Sequence, residues 1–395
     1  MTFALALWLG GCGDNGGIPT PGPTPLAPTT PTEPRLFVAT SDYTTGGYAT
    51  VDLSTGAVQR ALGTVHSDAI ARTAFGKVFV VNRLQGDNVQ VIDPTANYAT
   101  TRQIPLGPGS NPQDIAFVSS TRAFVSRYDA SPGLSILDLS RPEGQEVVGS
   151  VDLGDLAEAG GDGFADPSFL YVAPDNVVWV AAQRVNRVNF PPTQPAFSLL
   201  VAVDGATGQR RDSRTIQLPA TNPVSRVVDA SGAIPGSTPG QLVVVGLVGL
   251  FGVNDGGIAL IDLATGTTQL VATEAQLGGD ATQVAVCGKR VIALLSDASY
   301  HSSIVSFSLD TANDGDVATS RRVLLGPTRD NDFINDVVAT PIDGTCHAVA
   351  GIISLAPASA AGPAPGLWIV DAVSGQPRGA GPIDVGAPPY SLALR

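Results

Sequence analysis

Apolar residues in this chain fall in runs of four to six, and Gly, Pro, Asn or Asp stand in nearly every gap. The pattern is clearest over residues 77–118, "KVFVVNRLQGDNVQVIDPTANYATTRQIPLGPGSNPQDIAFV". Runs rich in Val, Ile, Phe and Thr between such breakers predict strands over Val78–Asn82, Val89–Asp93, Thr101–Leu106 and Asp114–Val118. A loop, a turn and a Gly/Pro-rich crossover separate them.

One phrase then recurs: "TVDLSTG" at 50–56, "AVDGATG" at 202–208, "LIDLATG" at 260–266 and "IVDAVSG" at 369–375. Looser copies are "SILDLS" (135–140) and "SFSLDT" (306–311). The marker closing the third strand is Asp52, Asp93, Asp138, Asp204, Asp262, Ser308 and Asp371, at a mean spacing of about 53 residues. Seven units of four short antiparallel strands predict an all-β, seven-bladed β-propeller; a solenoid repeats at shorter intervals and needs caps. The body opens with a second-type strand, "RLFVATSD", and the chain finishes with an innermost-type strand in "GAPPYSLALR". The C-terminal strand is therefore expected to pair with the N-terminal blade and close the ring, which removes free sheet edges. The recurring aspartates mark turns, where a carboxylate bonds nearby backbone N–H groups, and are not read as catalysts.

The segment "FVVNRLQGDNVQVIDPTA" followed by "IPLGPGSNPQDIAF" resembles the YVTN-type β-propeller repeat, with its strand ending in Asn, its Asn-Val-x-Val-Ile-Asp core and its Gly-x-x-Pro crossover. The resemblance extends over about residues 35–395 and is specific for fold, not function: such propellers include surface proteins, periplasmic binding modules, and lactonase-like or dehydrogenase-like enzymes. Residues 1–12, "MTFALALWLGGC", are similar to the lipobox of bacterial lipoproteins, which implies that Cys12 carries a diacylglycerol. Residues 13–34 are Pro-, Gly- and Thr-rich and read as an extended tether. The expected organisation is thus signal and lipobox 1–12, tether 13–34 and propeller 35–395, held to a membrane of the bacterial envelope through Cys12 and belonging to the outer membrane.

Composition narrows the function. Charged residues are only 14% of the chain and the net charge is −13, which disfavours a nucleic-acid or anionic-membrane surface. Histidine is limited to His66, His301 and His347, without Cys, His or Glu at ligand spacing, so no metal or cofactor is expected. There is no Cys-x-x-Cys-His and no Gly-x-Ser-x-Gly. "LDTANDGDVATS" (309–320) places Asp310, Asp314 and Gly315 as in a calcium loop, but Ala312 and Arg321 occupy ligand positions, so it reads as a hairpin turn. Cys287 and Cys346 lie near equivalent hairpins of adjacent repeats and are either bridged or two buried thiols.

The candidate site is the mouth of the ring. Arg83, Arg127 and Arg184 each follow a second strand, and Arg226 stands where Asp114 and Asp336 stand in other repeats. These side chains are expected to converge on one end of the channel, with Asp280, Asp332 and Asp336 on the opposite arc. They would either grip a small carboxylate or phosphate ligand or pair with one another across blades. The leading expectation is a non-catalytic binding or scaffold module with an envelope protein or a small anion as partner. A lactonase-like or quinoprotein-like envelope enzyme and a surface-layer component are the alternatives.

Overall fold

The computed structural model describes residues 35–188, 192–310, 316–354 and 362–395; Cys12, the 13–34 tether and the middle of the 309–320 loop lie outside them. The strands of blade 1 are β1 (Arg35–Ser41), β2 (Gly46–Asp52) and β3 (Val58–Val65). Blade 2 holds β4 (Ala69–Ala74), β5 (Lys77–Asn82), β6 (Asn88–Asp93) and β7 (Ala99–Pro105). Blade 3 holds β8 (Pro112–Phe117), β9 (Arg122–Arg127), β10 (Leu134–Asp138) and β11 (Val147–Val151). Blade 4 holds β12 (Pro167–Val172), β13 (Val177–Ala182), β14 (Leu199–Asp204) and β15 (Ile216–Gln217). Blade 5 holds β16 (Val228–Asp229), β17 (Leu242–Leu247), β18 (Gly257–Asp262) and β19 (Thr268–Thr273). Blade 6 holds β20 (Asp280–Cys287), β21 (Arg290–Ser296), β22 (Ser302–Ser308) and β23 (Arg322–Leu325). Blade 7 holds β24 (Asp332–Ile342), β25 (Thr345–Ser354) and β26 (Gly366–Asp371), and β27 (Pro389–Leu394) follows.

Each sheet is antiparallel and runs in chain order from the axis outwards, and β27 takes the innermost place of blade 1. It pairs with β1 through Leu36–Leu394, Phe37–Ala393 and Val38–Leu392. The chain is a seven-bladed β-propeller, closed by its last strand as the sequence pattern predicts.

The apolar runs are the middle strands because these are covered on both faces: every residue of β13 is buried, whereas β11 is exposed at all but one position. Hydrophobic clusters fill the seams between successive blades. Trp179, Leu200 and Val243 pack blade 4 on blade 5, and Leu36, Val51, Val349 and Ile369 pack blade 1 on blade 7. Two blades are lean at their margins. Among the described residues the outer edge of blade 7 pairs through the bridges Leu367–Ile383 and Val370–Pro377, and Pro377 and Pro382 have no N–H to donate to a ladder. Blade 5 begins with the two-residue β16, followed directly by a 3₁₀ turn at Ser231–Ala233.

The marker residues all close the third strand from the axis. The Asp204 carboxylate accepts the N–H groups of Ala206 (3.0 Å) and Thr207 (2.8 Å), and Gly208 at φ +78° closes the turn with an N–H to the Asp204 carbonyl of 2.7 Å. Asp52, Asp262 and Asp371 repeat this geometry with Gly56, Gly266 and Gly375. Only glycine adopts that backbone without strain, which explains the Gly of the phrase. Bonds from Ser54 and Thr55 hold the Asp52 carboxyl down at about 2, so it is ionised and committed to its turn.

Candidate functional site

The innermost strands begin on one face of the ring, where the blade-to-blade crossovers and the second-to-third strand loops also lie. Here the axis widens into a chamber of about 400 Å³. Arg72, Arg83 and Arg226 line it against one carboxylate, Asp336, and the amides of Gln113, Gln183, Asn222, Gln283 and Asn335 supply much of the remaining surface.

Two ion pairs form its inner wall. Asp114 on β8 accepts Arg72 Nε at 2.8 Å while its other oxygen accepts the Leu170 N–H of the next blade at 2.9 Å. Asp336, at the corresponding place of blade 7, accepts Arg226 Nη2 at 2.6 Å and the Leu392 N–H of blade 1 at 2.8 Å. Each aspartate thus stitches one innermost strand to the next. Arg226 reaches from blade 5 across the axis, and also donates to the carbonyls of Val337 (3.2 Å) and Leu392 (3.1 Å). Burial pulls the Arg72 guanidinium below its usual value and Asp114 opposes the shift; an arginine stays charged throughout.

Two Asp–Arg–Tyr sets stand nearer the mouth. Arg83 bonds Asp68 through Nη2 and, at 3.0 Å, through Nε. The Tyr390 hydroxyl donates to the same Asp68 oxygen at 2.8 Å, and Arg83 Nη1 reaches Gln113 at 3.0 Å. In the second set Arg187 bonds Asp166 (2.7 Å) and the Tyr128 hydroxyl, and that hydroxyl donates to Gln183 at 2.7 Å. Burial lifts the Tyr128 phenol to about 12 and the Asp166 carboxyl to about 6, the latter against the pull of Arg187.

A cleft of about 720 Å³ opens from the chamber toward blades 5 to 7, sharing Asn222, Val224, Gln283 and Asn335 with it. His301 lines this cleft between Asp330 (2.8 Å) and Asp297 (3.2 Å), and hydrogen bonds to these two carboxylates raise its pKa. His66 accepts from Asp68 N–H at 3.1 Å in the blade 1 to blade 2 crossover, while His347 is buried at the opposite face, against the Thr345 carbonyl at 2.9 Å. Among the described residues no group of three or more His, Cys, Asp or Glu could hold a metal ion.

The structure therefore divides the arginines singled out from the sequence. Arg83 and Arg226 line the chamber and are ion-paired. Arg184 does not line it: with φ +62° at the start of a long loop, its side chain is held by Glu158 (2.9 Å) and the carbonyls of Leu156 and Phe197 (2.5 Å each). Arg127 also stands outside the lining, and its Nε is buried without a partner. Asp332 is paired with Arg329 at 2.6 Å, and Asp280 accepts the Gly252 N–H at 2.8 Å. An arc of arginines facing an arc of aspartates is not what forms; the charges are interleaved across the axis. Cys287 and Cys346 are joined in a disulfide, their α-carbons 5.7 Å apart.

Sequence reasoning did not single out Arg72, Asp68, Tyr390, Tyr128, Asp166 or Arg187. Two signals were available. Asp68 and Asp166 each immediately precede an innermost strand, in "SDAIAR" and "ADPSFL", and Arg72 is a charge within a strand otherwise built of small and apolar residues.

No family model and no curated protein matches the chain by sequence. Solved structures match by shape. The periplasmic gluconolactonase of Pseudomonas aeruginosa superposes with a TM-score of 0.59 at 14% identity, covering 91% of this chain and 98% of that one. A protein from Lactobacillus plantarum gives 0.58 at 12% identity, covering 92% and 99%. A candidate 6-phosphogluconolactonase from Bacteroides uniformis gives 0.56 at 12% identity, also covering 92% and 99%. At these identities the likeness is one of fold.

Proposed function

We propose that this propeller is a tethered binding module of the bacterial envelope, lipidated on Cys12, whose axial chamber holds a small polyhydroxylated acid: a sugar acid or its lactone. One observation carries the reading. The amides of Gln113, Gln183, Asn222, Gln283 and Asn335 line one chamber, and each carries two N–H donors and an acceptor oxygen. Such a lining matches a ligand that can both give and take hydrogen bonds, as hydroxyl groups do. Arg72, Arg83 and Arg226 also line the chamber, each paired with an aspartate, so an acidic group on the ligand would be held by hydrogen bonds from the guanidinium edges and the amides and not by an excess of positive charge. The YVTN-like repeat and the lipobox-like "LGGC" support the envelope setting.

Titration calorimetry on the full chain carrying Cys12→Ser tests this with D-gluconate, δ-gluconolactone and D-glucose. Gluconate is expected to bind, and Asn335→Ala or Gln283→Ala to weaken it about tenfold, the loss of one or two hydrogen bonds. Absence of heat with all three compounds overturns the reading. The same Cys12→Ser change is expected to move the protein from the membrane fraction to the soluble one, and mass spectrometry of wild type to show the lipid.

A second reading, hydrolysis of the lactone, is favoured by the shape likeness to the Pseudomonas gluconolactonase. Ring opening faster than the spontaneous rate, followed by NMR and lost in Asp336→Asn, the one carboxylate of the chamber lining, would establish it in place of the first.

A further inference from the structure

We propose that the mouth cleft is a second subsite, which stacks a further sugar ring, so that the natural ligand is an acidic oligosaccharide whose end occupies the chamber. This rests on the reading of the chamber given above. Phe251 and Tyr300 lie face to face, with centroids 4.9 Å apart and planes 12° from parallel. Yet Tyr300 is 70% and Phe251 42% exposed, and both line the cleft. Aromatic pairs contribute most when they remove surface from water; this one holds a flat apolar plane out to it.

The plane is braced. Tyr300 sits at φ +66°, a conformation that bulky side chains rarely adopt. It is fixed there by the Tyr300 N–H to the Asp297 carbonyl (2.9 Å), while the Asp297 carboxylate accepts Ser299 N–H (2.8 Å) and His301 N–H (2.9 Å). The hydrogen-bonded turn thus fixes the direction in which the ring leaves the backbone. Phe333, also in the cleft, meets Tyr43 at 5.9 Å, and Tyr43 stands edge-on to Tyr390 at 5.6 Å. Thr282, Gln283, Asn331 and Asn335 add donors and acceptors to the same lining. A pyranose ring presents an apolar C–H face and a rim of hydroxyls, and this lining offers both counterparts. Chamber and cleft are continuous and each falls within the size of a small-ligand pocket, so together they accommodate more than one ring.

Calorimetry on the full chain carrying Cys12→Ser, with D-galacturonate and tetragalacturonate, tests the inference. The tetramer is expected to bind at least tenfold tighter than the monomer. Tyr300→Ala and Phe251→Ala should each remove about five- to tenfold of tetramer affinity and leave monomer affinity unchanged, with Tyr300→Trp restoring it. Equal affinity for monomer and tetramer, or a tetramer affinity indifferent to Tyr300→Ala, overturns the second subsite and leaves the chamber reading standing. No binding of either compound overturns the second subsite, and the gluconate titration then decides the chamber reading by itself. Binding to phosphatidylglycerol vesicles that Tyr300→Ala abolishes, without effect on the saccharides, assigns the exposed rings to a lipid surface and overturns the proposal.

Discussion

Glu274 opens the short helix α1 (Glu274–Leu277) and is fully buried, and no ion pair of the described residues reaches it. One oxygen accepts the Gly256 N–H at 2.8 Å and the other is unpartnered. Burial lifts its pKa to about 7, with Asp280 and Asp255 adding to the shift. The folded value stands above the unfolded one of 4.5, so folding favours the proton. That stability is fully present below the unfolded value and is lost as pH rises through about 7. Melting temperature is therefore expected to fall between pH 5 and pH 8.5. Glu274→Gln, which keeps the shape and cannot ionise, should flatten the slope and gain on the order of 2 kcal/mol at the alkaline end. An unchanged slope in differential scanning calorimetry would assign it to other groups. The same carboxylates hold the 249–256 loop that carries Phe251: Asp280 accepts the Gly252 N–H at 2.8 Å and Asp255 the Leu250 N–H at 3.0 Å. At this scale the sequence was legible where bonds are local. The marker aspartates bind N–H groups two and three residues on, so their role could be read from the turn itself. Arg226 and Asp336 meet across 110 positions, and nothing in the neighbourhood of either announces the other.

At the scale of strands and hairpins, the apolar runs fixed the middle of each blade and left the margins open. Middle strands are buried on both faces and so carry continuous apolar residues, whereas outer strands such as β3 and β11 face water and look like loops. The outer margins of blades 4 and 7, a two-residue strand and two isolated bridges, leave a sequence pattern little to reveal. The disulfide belongs to this scale, since Cys287 ends β20 and Cys346 lies near the start of β25, so it joins hairpins of blades 6 and 7. The two cysteines are separated by 59 residues, and a cross-link of that span removes about 4 kcal/mol of unfolded-chain entropy in the polymer picture. Cys287→Ser with Cys346→Ser, or reduction under non-denaturing conditions, is expected to lower stability by about 2–4 kcal/mol while far-UV circular dichroism stays that of the native sheet. A denaturant midpoint unmoved by dithiothreitol would show that the bridge does not form or does not constrain the chain.

At the scale of the whole molecule, the ring depends on a strand supplied by the far end of the chain. Besides its ladder with β1, β27 holds its neighbours on either side. Leu392 donates its N–H to Asp336 of blade 7 and its carbonyl accepts from Arg226, while Ser391 Oγ accepts the Ala71 N–H of blade 2 at 3.2 Å and the Tyr390 hydroxyl donates to Asp68. Deleting residues 390–395 would therefore do more than open the β1 edge. It would strip Asp336 of a backbone donor, take an acceptor from Arg226 and uncover the seam in which Leu36, Val38 and Leu392 pack. Asp336 and Arg226 keep each other, so each hydrogen bond lost to a buried charge costs about 1.5–3 kcal/mol, and an unpaired strand edge is a template for association. The truncated chain is expected to be aggregated on size-exclusion chromatography, or to melt at least 10 °C below the full chain if it stays monomeric. Adding a synthetic peptide of the sequence "PPYSLALR" should restore part of the loss, because the vacated place accepts a strand of that register. A monomeric truncation with an unchanged melt would mean that the seven blades hold their ring through the seams alone, and that β27 serves the chamber and not the closure.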